Sequence, residues 1–398
     1  MEKTATFRTP KGFLFAAVEA AIKKPGRKDL ALIYSDTEAT SAGMFTKNMV
    51  KAAPVKLDMK RIRSGKGRAI IVNSGNANAC TAEQGMNDAI EMTAMTARAL
   101  GLKAGLVYAC STGVIGTPLP MERIRPKIAE LSSSLGKSTI DDVAAAIMTT
   151  DTFPKIAGRR IKINGTLLTI SGICKGAGMI RPDMATMLCF IMTDACVERS
   201  ALDSALKTAV ERSFNLITVD GDMSTNDTIL LMANGAAGNY PITKSSPAFG
   251  RFLKALSEVA LELSTLIVKD GEGASKFIKV VIRNARSNAE AKRGAMAVAD
   301  SMLVKTALYG NDANWGRIIC ALGYSGIMVK EEKTDITING IKVAKKGRAT
   351  QRDKEANERL KAKEVTVEVD LGVGKGSATV LTCDLTEEYV RINAEYRT

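Results

Sequence analysis

With 398 residues, 45% of them hydrophobic and 25% charged, the chain has the make-up of a folded protein and is too long for one small core, so two or three lobes are expected. No apolar run approaches the roughly 20 residues of a membrane-spanning helix, and the first ten residues lack the basic-then-apolar pattern of a signal peptide, which makes no membrane partner and a cytoplasmic location the expectations. The formal charge of +14 raises nucleic acid as a partner, but aromatics are only 5% and no basic stripe carries interleaved aromatics for stacking, so none is expected.

The densest basic stretch, Lys342–Lys363, also holds Asp353, Glu355 and Glu358 and reads as a solvated helix face. The surplus charge suits the collection of anionic small molecules. Seven cysteines (Cys80, Cys110, Cys174, Cys189, Cys196, Cys320 and Cys383) are scattered without a Cys-x-x-Cys pair, and histidine is absent altogether. A zinc site is therefore not expected, and buried free thiols in a reducing compartment are.

Along the chain, Asp29–Tyr34 and Ala69–Val72 have the apolar continuity of strands buried on both faces. Asn73–Ala79 follows with three asparagines and a glycine, which is turn chemistry: either a tight connection or a cradle of backbone donors. A helix through Met86, Ala89, Ile90, Ala94, Ala97 and Leu100 ends at Gly101. Gly105–Cys110 reads as a strand running into Ser111-Thr112-Gly113-Val114-Ile115-Gly116, where a hydroxyl residue followed by glycine can turn N–H groups toward one point, as an oxyanion hole requires. Asp141–Met148 reads as helix, leading to Thr149-Thr150-Asp151-Thr152. Asn164-Gly165 marks a hairpin between Ile161 and Ile170.

Beyond the centre, Ser200 to about Phe214 is helical, and Asp220–Thr228 is a polar loop whose three aspartates lack the spacing of a calcium hand and read as turn structure. A helix spans about Pro247–Ile267, the glycine-rich loop Val268–Lys276 precedes a strand Phe277–Ile282, and Ser287 with Glu290 matches a capping box. The only tryptophan sits in a loop, Tyr309–Arg317. Asn339-Gly340 marks a second hairpin, Val365–Val369 and Ala378–Cys383 are expected to pair, and the alternating last residues, Tyr389–Thr398, to dock into a sheet. Strands and helices mix without a regular βαβ repeat, which predicts an α+β fold, of layered αββα type with an additional mixed α/β lobe.

The central stretch Lys175–Leu188 carries the chemistry. A glycine-rich turn (Gly176, Gly178) feeds the corner Arg181-Pro182 and then a strand from Met184 to Met192, so Thr186 enters the first residues of a buried strand. A β-branched residue there can be inert. In a chain without histidine, however, a hydroxyl nucleophile needs another base, and a threonine served by its own N-terminal amine is one such arrangement. That amine has a reference pKa of about 7.7–8.0. Thr186 would own it only if the Ala185–Thr186 bond were cut.

Read together, Phe45-Thr46-Lys47-Asn48, Asn73–Ala79, Ser111–Gly116, Thr149–Thr152, Lys175–Leu188, Asp270-Gly271-Glu272-Gly273, the Trp315 loop and the terminal Tyr-Val-x-Ile-Asn-x-x-Tyr-Arg-Thr resemble the ornithine acetyltransferase (glutamate N-acetyltransferase) family of arginine biosynthesis over essentially the whole chain. The resemblance implies self-cleavage between Ala185 and Thr186, giving two polypeptides, 1–185 and 186–398, that share one folded unit. It also implies that Thr186 carries the acetyl group of N-acetylornithine to glutamate, with Thr112 and the Gly113 N–H stabilising the oxyanion. Substrate contacts fall by the same carry-over to Thr149 or its rival Thr150, to Lys175, Thr186, Glu272, Asn393 and Thr398. No cofactor and no metal are implied. Acetyl-CoA remains open as an acetyl donor, and two copies of each fragment form the expected assembly. Two other readings stand beside this one: a self-processing aminopeptidase or amidase of related fold, and a binding protein with an inert Thr186.

Overall fold

The computed structural model describes residues 9–181 and 187–395. The central nucleophile candidate Thr186, its neighbour Ala185 and the terminal Thr398 lie outside the described residues. Two compact units divide the chain. Unit 1 takes the chain up to Gly176, the stretch that resumes at Met187 and ends at Asn215, and Met223–Ile267; unit 2 takes Ala177–Arg181, Leu216–Asp222 and the chain from Val268 onward. The units interleave along the sequence, so their division is not the covalent one expected at 185/186.

Unit 1 is built on eight strands: β1 (Phe13–Val18), β2 (Leu30–Phe45), β3 (Lys66–Asn76), β4 (Val107–Val114), β5 (Lys155–Ile163), β6 (Thr166–Lys175), β7 (Leu188–Thr193) and β8 (Thr228–Ala233). Their order is β4-β3-β2-β8-β7-β6-β5, with β1 paired to β2. The long β2 makes this sheet into two layers. Its first half, Leu30–Tyr34, pairs with β1 and β3, the register breaks between Tyr34 and Ala39, and its second half, Thr40–Phe45, pairs with β8. One core cluster accordingly takes Ile33, Ile70 and Val72 from the first half and Ile173, Phe190 and Leu230 from the second. The opposite face of the first half, with Leu30, Leu32, Ala69 and Ile71, packs against Met92, Ala97, Ile124, Ile128 and Leu131. Successive side chains of one strand thus bury on opposite faces, as the continuous apolar runs predicted.

The helices of this unit are α1 (Ala53–Arg61), α2 (Ala82–Ala99), α3 (Met121–Ser133), α4 (Ile140–Ala146), α5 (Arg199–Glu211) and α6 (Ala248–Lys269). Gly101 takes φ +66° just past α2, which is the left-handed geometry that ends a helix. Thr139 and Asp142 close a reciprocal capping box on α4, Thr139 N–H to Asp142 Oδ2 at 2.8 Å and Asp142 N–H to Thr139 Oγ1 at 3.3 Å. Two parallel crossovers, β3–α2–β4 and β7–α5–β8, are present where no regular βαβ pattern was legible. They are separated by antiparallel strands, so no repeat forms.

Unit 2 is a mixed α/β lobe with the sheet order β12-β11-β10-β13-β9-β14, made of β9 (Phe277–Ala285), β10 (Asp335–Ile338), β11 (Ile341–Lys345), β12 (Arg348–Ala349), β13 (Glu364–Asp370) and β14 (Gly376–Cys383). Its helices are α7 (Asn288–Asp300), α8 (Met302–Tyr309), α9 (Trp315–Gly323), α10 (Asp353–Arg359) and α11 (Glu387–Ala394). Ile278, Val280 and Ile282 of β9 bury against Ala291, Ala295 and Val298 of α7. The fold is α+β and layered, as expected.

Several local expectations are corrected. The turn expected at Asn73–Ala79 begins late, because β3 runs to Asn76 and pairs with β4. A strand at 228–233 emerges from the polar loop. Trp315 opens a helix capped by Asn314, whose Oδ1 accepts the Arg317 N–H at 3.3 Å. The late strands β13 and β14 do not pair with each other: β9 lies between them, parallel to β13 and antiparallel to β14. Within the described residues, the run expected to dock in a sheet from Tyr389 instead continues α11 as far as Ala394, and Thr386 caps that helix by accepting the Tyr389 N–H at 3.2 Å. Of the basic stretch 342–363 only α10 is helical. Ser287 caps α7, but the Glu290 carboxylate pairs with Arg286 and accepts the Met328 N–H instead of closing the box.

Candidate active site

The end of β4 carries Ser111, Thr112 and Gly113 into register with Asn73–Asn76 of β3. Gly113 takes φ +139°, and a Cβ there would lie 2.2 Å from Gly75 C and 2.4 Å from Asn76 N. Only glycine lets the two strands meet this closely. The asparagines of Asn73–Ala79 are committed to the connection itself: Asn76 Nδ2 donates to Thr117 O at 3.1 Å and Pro118 O at 3.0 Å, Asn78 Nδ2 donates to Gly85 O at 2.9 Å, and Asn73 Oδ1 accepts the Ser111 hydroxyl at 2.6 Å. They brace the strand end that bears Thr112 and Gly113.

Lys175, the last residue of β6, is buried, and its Nζ donates to Thr112 Oγ1 at 3.3 Å. A hydroxyl that accepts a bond from an ammonium keeps its own O–H to donate. Beside this pair lies Asp151. Its Oδ1 accepts Lys155 Nζ at 2.6 Å and the Gly176 N–H at 2.7 Å, and its Oδ2 accepts the Thr149 N–H at 3.0 Å. Burial alone would push the Asp151 carboxyl up, but the Lys175 and Lys155 charges and the donated bonds outweigh it and hold the group at about 2. Of the rival threonines, Thr149 is tied to Asp151 through its backbone. Unit 1 thus brings buried Thr112, Lys175 and Asp151 together with half-buried Gly113, Thr149 and Thr150 in one cluster.

The loop before β8 completes it with residues the sequence did not single out. Asn226 Nδ2 donates to Ala77 O at 2.6 Å and Ser111 O at 2.8 Å, joining the asparagine loop to β4. Asp227 Oδ1 accepts the N–H of Met187, the residue that follows Thr186, at 3.2 Å; burial pushes this carboxyl well up, and its Oδ2 has no hydrogen-bond partner among the described residues. The Phe45–Asn48 motif serves this loop: Thr46 N–H donates to Asp227 O at 3.0 Å, the Thr46 hydroxyl to Ser224 O at 2.8 Å, and Asn48 Nδ2 to Met223 O at 3.0 Å. The signal that could have found Asn226 was the unusual polarity of 220–228.

Unit 2 carries the other described site candidates. Glu272 is buried, its Oε2 accepts Asn393 Nδ2 at 2.9 Å, and its N–H donates to Ala177 O at 2.9 Å. A Cβ on Gly178 would sit 2.3 Å from Glu272 Oε2, which explains that glycine. Asp220 accepts the Met179 and Ile180 N–H groups at 2.6 and 2.9 Å and the Tyr389 hydroxyl at 3.1 Å, so it ties 179–180 to α11. Burial pushes its carboxyl up. Its Oδ1 also accepts the Asp222 N–H at 3.2 Å, a turn at the start of the loop. All seven cysteines are free thiols, but against expectation Cys80 and Cys320 are exposed and Cys196 is half-buried, because they lie off the sheet interior that buries the other four. Among the described residues no group of three or more Cys, Asp or Glu side chains could hold a metal, and no helix is long and apolar enough to cross a membrane.

The model of the ArgJ family matches residues 14–398. The arginine biosynthesis bifunctional protein ArgJ of Geobacter sulfurreducens is 56% identical over 390 residues, 98% of this chain and 99% of that protein. The protein of the same name from Caldanaerobacter subterraneus subsp. tengcongensis is 49% identical over 394 residues, 98% of each. The crystal structure of the arginine biosynthesis bifunctional protein argJ from Bacillus halodurans superposes with a TM-score of 0.50 at 45% identity, covering 52% of this chain and 97% of the solved one. The chain has a layered α+β fold with a histidine-free cluster of hydroxyl, amide and ammonium donors, and it belongs to the ArgJ family.

Proposed function

We propose that this chain is an acetyltransferase of arginine biosynthesis that cuts itself between Ala185 and Thr186 and then moves the acetyl group of N-acetylornithine to glutamate through an ester on Thr186. The observation that carries the reading is the buried Lys175–Thr112 pair beside the Gly113 amide, a set of donors suited to a tetrahedral oxyanion in a chain that has no histidine. In the uncut chain the Thr186 hydroxyl attacks the Ala185 carbonyl carbon. The C–N bond breaks as the nitrogen gains a proton, and water hydrolyses the resulting ester to leave a carboxylate on Ala185 and a free amine on Thr186. That amine then takes the hydroxyl proton as Oγ attacks the acetyl carbonyl, and passes it to the departing nitrogen of ornithine. The amine of glutamate attacks the acetyl ester, and its proton returns to Oγ.

Lys175 polarises Thr112, whose O–H joins the Gly113 N–H on the oxyanion. Glu272 and Asn393 remain assigned to substrate contact by resemblance, as do Thr149 or Thr150, Lys175 and Thr398. Self-cleavage gains support from the solved Bacillus halodurans chain, which is only about half as long as this one. Acetyl-CoA as a second acetyl donor to glutamate stays part of the proposal as an open alternative carried by resemblance. Residues 1–185 and 186–398 would then be separate polypeptides, assembled as two copies of each in the cytoplasm.

Intact mass of the purified protein tests the first step: two fragments meeting at Ala185/Thr186 are expected, and a chain that stays at 42.4 kDa refutes it. Thr186→Ala should give one uncut chain without acetyl transfer. Incubating N-acetylornithine with and without glutamate separates transfer from hydrolysis, since ornithine release that ignores glutamate would make the protein an amidase.

A further inference from the structure

β4 stands at the end of the sheet order of unit 1, so among the described residues one of its edges has no strand beside it. Alternate residues of a strand turn their backbone groups toward the same edge. Along that edge side chains stand in for the missing neighbour. Arg61 of α1 donates to the Val107 carbonyl, Asp58 of α1 accepts the Ala109 N–H at 3.1 and 3.2 Å, and Asn226 Nδ2 donates to Ser111 O at 2.8 Å. The next residue in this alternation is Gly113, whose amide the proposed mechanism gives to the oxyanion.

Asn226 is buried, and its partners fix its orientation. Ala77 O and Ser111 O can only accept, so the amide nitrogen faces them, at 2.6 and 2.8 Å, and Oδ1 is left to accept the Thr225 hydroxyl at 2.6 Å. Its main chain is tied as well: the N–H donates to Ser224 Oγ at 2.9 Å, and the carbonyl accepts the Thr228 hydroxyl at 3.0 Å. One side chain therefore holds the Ser111 carbonyl, and with it the planar peptide unit that ends in the Thr112 nitrogen and Cα. The residues after Asn226 reach β7, where Asp227 Oδ1 accepts the Met187 N–H at 3.2 Å and the Thr228 N–H donates to Met187 O at 3.0 Å. Three consecutive residues thus join the end of β4, which carries the donors, to the start of β7.

We propose that Asn226 is a positioning residue for acetyl transfer: its amide takes the place of a neighbouring strand at the end of β4 and sets the Thr112 and Gly113 donors before the reaction begins. The inference rests on the oxyanion reading given above. An oxyanion donor acts in the transition state, so misplacing it slows both half-reactions and leaves substrate binding as it was.

The test is Asn226→Leu, which keeps a similar shape and removes the donor. In protein shown by intact mass to be cut, single-turnover ornithine release and the later acetyl transfer to glutamate should each slow about 10²-fold, the size of losing one oxyanion donor. KM for either substrate should stay within about threefold of wild type. Wild-type rates in the folded variant, or a loss carried by KM, overturn the proposal. A second readout needs neither activity nor cleavage. In protein labelled with 15N-threonine, the Thr112 amide resonance, assigned by its loss in Thr112→Ser, should move in Asn226→Leu because the carbonyl bonded to that nitrogen has lost its donor. A resonance that stays in place also overturns the proposal.

If Asn226→Leu does not fold, Asn226→Asp serves. It fills the same space and keeps at most one of the two bonds, so the rates should fall about 10-fold, the worth of one hydrogen bond, and the Thr112 resonance should again move; wild-type rates or an unmoved resonance overturn the role. Failure of the underlying reading looks different. Thr112→Val with wild-type kcat would sink the oxyanion reading, whereas an inactive Thr112→Val beside a fully active Asn226→Leu would sink this inference alone.

Discussion

Gly113→Ala tests the strand junction and the oxyanion reading together. The alanine Cβ would lie 2.2 Å from Gly75 C, 2.4 Å from Asn76 N and 2.6 Å from Gly75 O, all backbone atoms that cannot swing away as a side-chain tip would. Its φ of +139° is also one that side-chain-bearing residues avoid. Overpacking typically costs about 1–3 kcal/mol, and a residue held in a sparsely populated backbone region about another 1–3 kcal/mol. The expected loss is thus roughly 2–6 kcal/mol, against a total stability of about 5–15 kcal/mol for a typical domain. β4 can relieve the clash only by drawing away from β3, which displaces the Gly113 amide and the Thr112 hydroxyl together. Acetyl transfer should therefore fall by at least the about 10²–10³ that one lost donor costs, even at temperatures where the variant is folded. Thermal unfolding followed by circular dichroism, with kcat measured well below the transition, gives both numbers. A variant with wild-type unfolding and wild-type kcat would refute the close approach and its catalytic meaning alike.

Thr112→Val keeps the shape and removes the hydroxyl, so kcat should drop about 10²–10³-fold, whereas Thr112→Ser should retain most activity; equal losses in the two, measured by ornithine release, would count against the hydroxyl as donor. Gly178→Ala places a methyl on the Glu272 carboxylate and should raise KM for N-acetylornithine by roughly 10–100-fold, the worth of a charged hydrogen bond of about 1.5–3 kcal/mol; unchanged kinetics would remove Glu272 from substrate binding. In acid, the depressed carboxyl of Asp151 stabilises the fold fully above its unfolded pKa of about 3.9, and that contribution disappears as the pH falls to about 2. Denaturant midpoints followed from pH 5 downward should fall less steeply in Asp151→Asn than in wild type, and parallel curves would contradict the shift.

What was legible in the sequence was local. The Asn164-Gly165 and Asn339-Gly340 hairpins formed as read because both residues of each pair take positive φ, a preference carried by the dipeptide itself. The runs at Leu30–Ile33 and Ala69–Val72 announced burial on two faces because no polar residue interrupts them. Pairing partners were not legible in the same way: β9 enters between β13 and β14 from some 80 residues upstream of β13, and nothing in either late strand marks that gap. Alternation misled at the C-terminus, where Thr386 with Glu387 and Glu388 was the stronger signal, an N-cap followed by acids in the first turn. At the site, Thr112, Gly113 and Lys175 were named from motifs, but the bond between Lys175 and Thr112 joins positions 63 residues apart. The roles of Asp151, Asn226 and Asp227 likewise exist only once distant strands meet.

The absence of histidine bears on the whole design of the cluster. A chain that uses an imidazole can expose it to water and let it titrate near neutrality. Here the groups at the site are lysine, aspartate, threonine and backbone amides. Lysine and aspartate titrate far from pH 7 unless shifted, so burial and pairing decide their charge. Burying an ammonium such as that of Lys155 is costly unless a carboxylate meets it with its remaining lone pairs filled. Asp151 satisfies that condition: both oxygens are bonded, one of them twice. The same condition holds the cluster in place, since moving Lys155 would strand a charge away from its partner. A hydroxyl whose orientation is set before the reaction begins is what the proposed oxyanion donor requires. In the proposed mechanism, proton transfer is then left to a group that titrates near neutrality without help, and among protein groups other than histidine that is an N-terminal amine.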